Sequence, residues 1–244
     1  MMVEALLETK DVVKRFGGIR AVDGVSISVE RGEIVGLIGP NGAGKTTLFN
    51  CITGTYTPEE GHIFFEGKEI TKLPSNKIIR LGIARTWQVV RPFKKMSVID
   101  AITTGALLRH GKIDEAREKA REVAQFLGLP EEILKKRGDE ITLMQHKLVD
   151  LARALATEPK LLLIDEVGAG LRPAELNMMI ETLHKINKER GTTLVVVEHI
   201  MRLVMSISKR VIVMHEGKVI AQGKPEEVSN NPQVIQAYLG IKPV

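Results

Sequence analysis

Gly39-Pro-Asn-Gly-Ala-Gly-Lys-Thr-Thr47 follows the pattern Gly-x4-Gly-Lys-Ser/Thr, and it stands between two apolar stretches, Glu33 to Ile38 and Thr47 to Ile52. The first stretch reads as a buried strand and the second as the start of a helix, so the glycines fall where a strand must turn into a helix. In that setting successive backbone N–H groups turn inward around phosphate oxygens. Lys45 brings a point charge to the β- and γ-phosphates, and the Thr46 hydroxyl is placed to ligate Mg²⁺. The unpaired donors and the dipole of the following helix favour the same anion. The stretch therefore predicts a nucleoside triphosphate site and an α/β fold built around it.

Working outward, buried-strand grammar recurs at Leu161-Leu-Leu-Ile164, Thr193-Leu-Val-Val-Val197 and Val211-Ile-Val-Met214, spaced by helical segments as in a mostly parallel sheet. The first thirty residues alternate short apolar stretches (Ala5 to Leu7, Val12 and Val13, Val25 to Val29) with polar residues, which predicts antiparallel strands. Gly61 to Gly67 adds a hairpin arm. Between about Arg91 and Leu155 the period becomes helical: Ala116, Ala120, Val123, Ala124 and Leu127 recur at helix spacing until Gly128 and Pro130. A second set follows at Leu148, Leu151, Ala152 and Leu155. A helical insertion thus divides an α/β core.

Hydrolysis of a triphosphate needs an acidic element at a strand end beside the phosphate loop. Asp165 and Glu166 close the Leu161–Ile164 run; Asp165 suits Mg²⁺, and Glu166 suits polarising the attacking water. Glu198-His199 ends a further strand, from which His199 reaches toward a γ-phosphate, although a lone histidine there is as a rule structural. His62, His110, His146, His184 and His215 lack metal-ligand spacing.

The chain has 244 residues, 43% hydrophobic and 27% charged, enough for a sizeable core. Its apolar runs are too short to span a bilayer. The acidic N-terminus lacks the basic start and long apolar stretch of a secretory leader, so a cytoplasmic location is expected. A net charge of +5 is dispersed among acids, as in Asp114 to Arg121, without interleaved aromatics, and does not indicate a nucleic-acid partner. The single cysteine, Cys51, excludes an internal disulfide and reads as a buried residue rather than a nucleophile.

In this order the segments resemble the ATP-binding subunits of ABC transporters over essentially the whole chain. The resemblance implies a P-loop NTPase (RecA-like) core with an N-terminal antiparallel β subdomain and an inserted α-helical subdomain. It divides the chain into 1–88 with 157–223 as core, 89–156 as insertion and 224–244 as a helical tail. It makes Gly39, Pro40, Asn41, Gly42, Ala43, Gly44, Lys45, Thr46 and Thr47 the Walker A loop, Asp165 and Glu166 the end of Walker B, and His199 the switch histidine. Arg85-Thr-Trp-Gln88 is similar to the Q-loop, whose Gln88 touches Mg²⁺ and water. Phe16, which from the residues alone reads as core, matches the aromatic that stacks on adenine. Within the superfamily Ala152 to Lys160, Ala169 to Glu175, Gly223 to Val228 and Pro232 to Gly240 resemble LivG-type subunits of branched-chain amino acid importers. That resemblance implies membrane permease subunits, a second ATPase subunit and, indirectly, a solute-binding protein as partners, at the cytoplasmic face of the membrane. The alternatives are a soluble ABC-type ATPase in translation or repair, which usually carries two cassettes or a long coiled coil, and a regulatory ATP binder with little turnover.

The chain departs from the family at motifs that face a dimer partner. The signature Leu-Ser-Gly-Gly-Gln aligns with Ile141-Thr-Leu-Met-Gln145, keeping the Thr142 hydroxyl and Gln145 amide but placing Leu143 and Met144 where a backbone approaches phosphate. Val167 replaces a proline and Arg172 an Asn or Asp. These departures lead to the expectation of a different partner cassette with a more regular signature.

Overall fold

Two twelve-residue strands, β1 (Ala5–Phe16) and β2 (Ile19–Glu30), pair antiparallel in the computed structural model, which describes residues 5–86 and 95–239. The antiparallel strands expected here are the two arms of one hairpin. Between the apolar stretches Glu8 and Thr9 pair with Ser28 and Ile27, whereas Lys10 and Asp11 bulge out of the β1–β2 ladder, which resumes at Val12 opposite Val25 and shifts again before Lys14. The buried Thr9 hydroxyl completes the pairing, donating to the Val25 carbonyl and accepting from the Ile27 N–H, each at 3.0 Å.

From β2 the chain enters β3 (Ile34–Ile38), all five residues buried, and then α1 (Lys45–Ile52). The hairpin arm read from Gly61 to Gly67 is β4 (Glu60–Phe65) with β5 (Lys68–Glu69), and it completes a four-stranded antiparallel sheet ordered β2-β1-β4-β5. After α2 (Ser75–Leu81), the short strand β6 (Ile83–Arg85) joins the second sheet.

Four helices follow: α3 (Val98–Ala106), α4 (Ile113–Phe126), α5 (Glu131–Leu134) and α6 (Leu143–Leu155). The Ser97 Oγ accepts the Asp100 N–H at 3.2 Å to cap α3. All the residues read at helical spacing in α4 and α6 are buried, and Gly128 with Pro130 ends the first run as expected. Helices α3 and α6 meet at Gly105, where an added Cβ would lie 2.1 Å from the Arg153 carbonyl oxygen.

The remaining chain supplies β7 (Leu161–Asp165), α7 (Pro173–Arg190), β8 (Thr193–Val197), α8 (Met201–Ile207), β9 (Arg210–His215), β10 (Lys218–Gly223), α9 (Pro225–Ser229) and α10 (Pro232–Leu239). The large sheet runs β10-β9-β3-β8-β7-β6, parallel except for β10 against β9. Its successive side chains serve opposite layers: Leu162, Ile164, Leu194 and Val196 pack with α6 and α7, while Leu161, Leu163, Val195 and Val197 pack with α1 and the small sheet. That two-sided cover is why these strands read as unbroken apolar runs. Leu37 pairs with Val197 and Val197 with Asp165, so β3, β8 and β7 end level with one another. Everything that follows them in sequence emerges at one edge.

Gly105→Ala is expected to cost about 1–3 kcal/mol through overpacking of α3 on the Arg153 carbonyl, read as a lower urea midpoint with an unchanged slope.

Candidate functional site

The level carboxyl edge of β3, β8 and β7 is where ligands of open α/β sheets settle. Gly39 leaves β3 at φ 150°, and a Cβ there would stand 2.0 Å from the Met214 carbonyl oxygen, so the loop packs against β9 only with glycine. Helix α1 begins at Lys45 with Gly44 as its cap residue, no side-chain cap and no acid in its first turn. Its N-terminal donors and positive dipole end are thereby left for an anion. A cleft of about 340 Å³ opens in front of them, lined by loop residues 41–47, Ala21, Glu166 and His199.

Lys45 is buried, and its Nζ donates to the carbonyls of Gly39 at 2.7 Å and Pro40 at 3.0 Å. Burial lowers its pKa, while Glu166 and Asp165 pull it back. The ammonium is thus held inside its own loop, beside the two acids.

Asp165 ends β7 with its side chain fully buried. Its Oδ2 accepts from Arg85 Nη2 at 2.7 Å, and Arg85 Nη1 donates to Asn50 Oδ1 at 2.5 Å, so one guanidinium joins β6, β7 and α1. The Oδ1 is buried and has no hydrogen-bond partner among the described residues. An orphaned carboxylate oxygen close enough to act on Lys45, and a Thr46 hydroxyl in the cleft lining, are hard-oxygen donors of the kind that suit Mg²⁺.

Glu166 follows in a left-handed conformation, φ 48°, unusual outside glycine. Its N–H donates to the Val197 carbonyl at 2.9 Å, and its own carbonyl accepts from Lys147 Nζ at 2.8 Å. The carboxylate Oε1 lies 3.1 Å from His199 Nε2. The two residues read separately from two strand ends are therefore one acid–imidazole pair, and His199 does not stand alone.

Other sequence-derived candidates lie elsewhere. Phe16 is 46% exposed rather than core, because it stands at the hairpin tip, edge-on to Tyr56 at 5.3 Å and with Lys14 Nζ 5.6 Å from its centroid. It does not line the cleft. Thr142 and Gln145 cap α6 reciprocally: Thr142 Oγ1 accepts the Gln145 N–H at 3.3 Å and Gln145 Oε1 accepts the Thr142 N–H at 2.9 Å. Met144, expected to add bulk at this surface, is buried in the core, and only Leu143 is exposed. Val167 is also buried, and the Arg172 N–H donates to Glu175 Oε2 at 2.8 Å at the start of α7. Gln88 lies outside the described residues. Among those residues no group of three or more His, Cys, Asp or Glu side chains is arranged to hold a metal. Cys51 is buried, its thiol pushed up to about 12 by burial.

Sequence reasoning missed three participants: Arg85, Lys147 and Glu198. Each is a charged residue within or beside an apolar run, and burial of such a group demands a partner. Glu198 is 1% exposed, and its carboxylate accepts the N–H groups of Gly168 (2.5 Å), His199 (3.1 Å) and Ile200 (3.4 Å).

Residues 22–169 match the family described as ABC transporter, and residues 218–241 match branched-chain amino acid ATP-binding cassette transporter. The chain is 39% identical to the high-affinity branched-chain amino acid transport ATP-binding protein BraF of Pseudomonas aeruginosa, over 98% of this chain and 99% of the relative. It is 38% identical to the corresponding LivG protein of Escherichia coli, with the same two coverages. Among solved structures, the ADP conformation of an ATP-binding cassette of an ABC transporter matches with a TM-score of 0.88 at 33% identity, over 97% of this chain and 99% of that one. A dimeric bacterial ABC transporter cassette matches with a TM-score of 0.82 at 25% identity, over 90% and 98%.

Two outcomes follow from the buried groups. Arg85→Met, which strands the Asp165 anion, is expected to lower stability by about 3–5 kcal/mol in urea denaturation. Iodoacetamide at pH 8 is expected to leave Cys51 unmodified in the folded chain and to alkylate it once the chain is unfolded, as read by intact mass.

Proposed function

The chain belongs to the ABC transporter ATP-binding family, and from that premise we propose that it is the ATP-hydrolysing subunit of an importer for branched-chain or closely related amino acids. The observation that carries the reading is the cleft where the phosphate loop, Lys45 and the Glu166–His199 pair meet. The solute class is supported by the transport role named for the relatives and by the match of residues 218–241.

On this reading the triphosphate lies along the N-terminus of α1, cradled by backbone N–H groups of the loop residues 41–47 that line the cleft. Lys45 exchanges the Gly39 and Pro40 carbonyls for β- and γ-phosphate oxygens. Glu166 takes the proton of the attacking water, and His199, 3.1 Å away, fixes the direction of that carboxylate and steadies charge on the γ-phosphate. Thr46, Asp165 and Gln88 would hold Mg²⁺, which would supply charge neutralisation at the phosphates when bound. Phe16 offers its exposed ring to adenine.

Thr142 and Gln145 stand apart from the residues lining their own cleft, which suits a role across a dimer, as does the likeness to a dimeric cassette. We take the partner to be a second ATPase subunit, distinct from this one and carrying the glycines absent at Leu143 and Met144. Both would sit on permease subunits at the cytoplasmic face of the membrane, with a solute-binding protein delivering substrate and no nucleic acid involved. No helix among the described residues is long and apolar enough to cross a membrane. Core segments 1–88 and 157–223, insertion 89–156 and tail 224–244 are the working divisions.

The test is Mg²⁺-dependent ATP hydrolysis across a range of chain concentrations. Lys45→Ala is expected to abolish tight ATP binding. Glu166→Gln is expected to bind ATP normally and to lose about 10²- to 10⁴-fold in turnover. Normal turnover in Glu166→Gln would sink the assignment of the base, and vigorous cooperative turnover by the chain alone would sink the unequal dimer.

A further inference from the structure

Outside the lining of the cleft, yet bonded to the backbone of the Glu166–His199 pair, lie two buried charges that no role has yet absorbed. Lys147 belongs to α6 and is 5% exposed, with its Nζ 2.8 Å from the Glu166 carbonyl oxygen. Glu198 follows β8 and is 1% exposed, with one carboxylate oxygen on the Gly168 N–H and the other on those of His199 and Ile200. Each charge therefore holds the main chain of one member of the reacting pair, and Glu198 also holds the backbone two residues beyond the other.

We propose that Lys147 and Glu198 are positioning residues for hydrolysis: a buried cation and a buried carboxylate that together fix the backbones carrying the Glu166 carboxylate and the His199 imidazole. The inference rests on the assignment of Glu166 and His199 made above. Its physical core is the left-handed turn at Glu166. A residue in that conformation persists only where its surroundings over-determine it. Here the Val197 carbonyl holds its N–H and Lys147 holds its carbonyl, so the peptide groups on both sides are fixed and the side chain has one direction to leave. A surface lysine would do this poorly, because water competes for the ammonium. In the interior the competition is absent.

The two charges also answer one another. Burial lowers the proton affinity of Lys147, and among the opposing carboxylates Glu198 acts most strongly, followed by Asp150, Glu166 and Asp165. Burial raises the pKa of Glu198, opposed by the three N–H groups and by Lys147. Each charge thus lessens the cost of burying the other, with the three N–H groups acting on Glu198 more strongly than Lys147 does. Gly168 belongs to the same unit, since a Cβ there would lie 3.1 Å from the Glu198 Oε1. Because Lys147 is two residues beyond Gln145, the unit ties the exposed start of α6 to the acid in the cleft.

The experiment compares Lys147→Met, Lys147→Arg, Glu198→Gln and the double variant Lys147→Met/Glu198→Gln in the full chain, with Glu166→Gln as reference. Each is measured for kcat, for KM toward ATP, for affinity toward a fluorescent ATP analogue and for thermal midpoint. Lys147→Met and Glu198→Gln are each expected to lose roughly tenfold to a hundredfold in kcat, the scale of a misplaced reacting group. KM and analogue affinity are expected to stay within about twofold, since ground-state binding is untouched. Lys147→Arg, which keeps a donor for the carbonyl, is expected to recover most of the lost kcat. The double variant, having no stranded charge, is expected to melt above either single variant yet to turn over as slowly.

Recovery of turnover together with stability in the double variant would make the pair a fold buttress only, and so overturn the inference. Unimpaired kcat in Lys147→Met, or analogue affinity lost in step with kcat, would overturn it too. An inactive Glu166→Gln beside an unimpaired Lys147→Met defeats the pair alone, whereas a fully active Glu166→Gln defeats the assignment of Glu166 and the pair with it.

Discussion

Asp165 closes a strand in which every residue is buried, and an anion in that position is tolerated only with a cation against it. Arg85 is that cation, and it reaches Asp165 because β6 lies beside β7 with Arg85 opposite Leu163, two residues short of the acid. The guanidinium also donates through Nη1 to Asn50 of α1 and lies 5.4 Å from the Phe49 ring centroid. One buried ion pair thus fixes three elements relative to one another: the helix that follows the phosphate loop, the strand that carries the acid, and the strand that leads into residues 87–94. The Coulombic attraction offsets the desolvation of both ions. The gain is geometric, since the pair consumes Oδ2 and leaves Oδ1 as the atom directed elsewhere.

The residue after Asp165 concentrates the local strain. Among the described residues five other than glycine have positive φ, and of these Asp11, Glu66, Glu158 and Glu216 stand apart from the cleft walls while Glu166 lines the cleft. Such a conformation costs about 1–3 kcal/mol and must be compensated by its surroundings. The compensation is visible in the two backbone hydrogen bonds that hold Glu166 and in the contact of its carboxylate with His199. Strain of this kind is a price worth keeping only where direction matters, and the direction here is toward the imidazole.

The fold was legible wherever local period or turn chemistry decided the outcome. The glycine loop between strand and helix, the three apolar runs of the parallel sheet and the alanine-rich stripe of α4 each carry their structure in a window of a few residues. The acid and histidine at two strand ends were legible as candidates for the same reason. Their pairing was less so, because the 3.1 Å contact depends on β7 and β8 ending level, a property of register. Arg85, Lys147 and Glu198 were illegible as site residues since their partners are 80, 19 and 30 residues away in sequence. The antiparallel pairing of the first thirty residues was legible in its alternation, but the length of each strand was not, because a bulge at Lys10 and Asp11, between the Thr9–Ile27 and Val12–Val25 pairs, breaks that alternation while the strand continues.

The altered signature is best understood through the helix it begins. Thr142 and Gln145, the two side-chain features it keeps, are three residues apart and satisfy one another's backbone N–H, so they are what the N-terminus of α6 needs in order to form. The two positions between them are free to vary with respect to the cap, but they differ in direction, since each helical residue turns about 100° from the last. Met144 is therefore carried into the core, where its volume is used in packing, and the exposed surface receives the bulk of Leu143 alone. Leu143 Cδ2 comes within 2.9 Å of the place a Gly170 Cβ would occupy. Bulk gained at 143 is accommodated by the absence of a side chain at 170, in the segment that follows Glu166. The start of α6 is thereby packed against the chain leaving the acid.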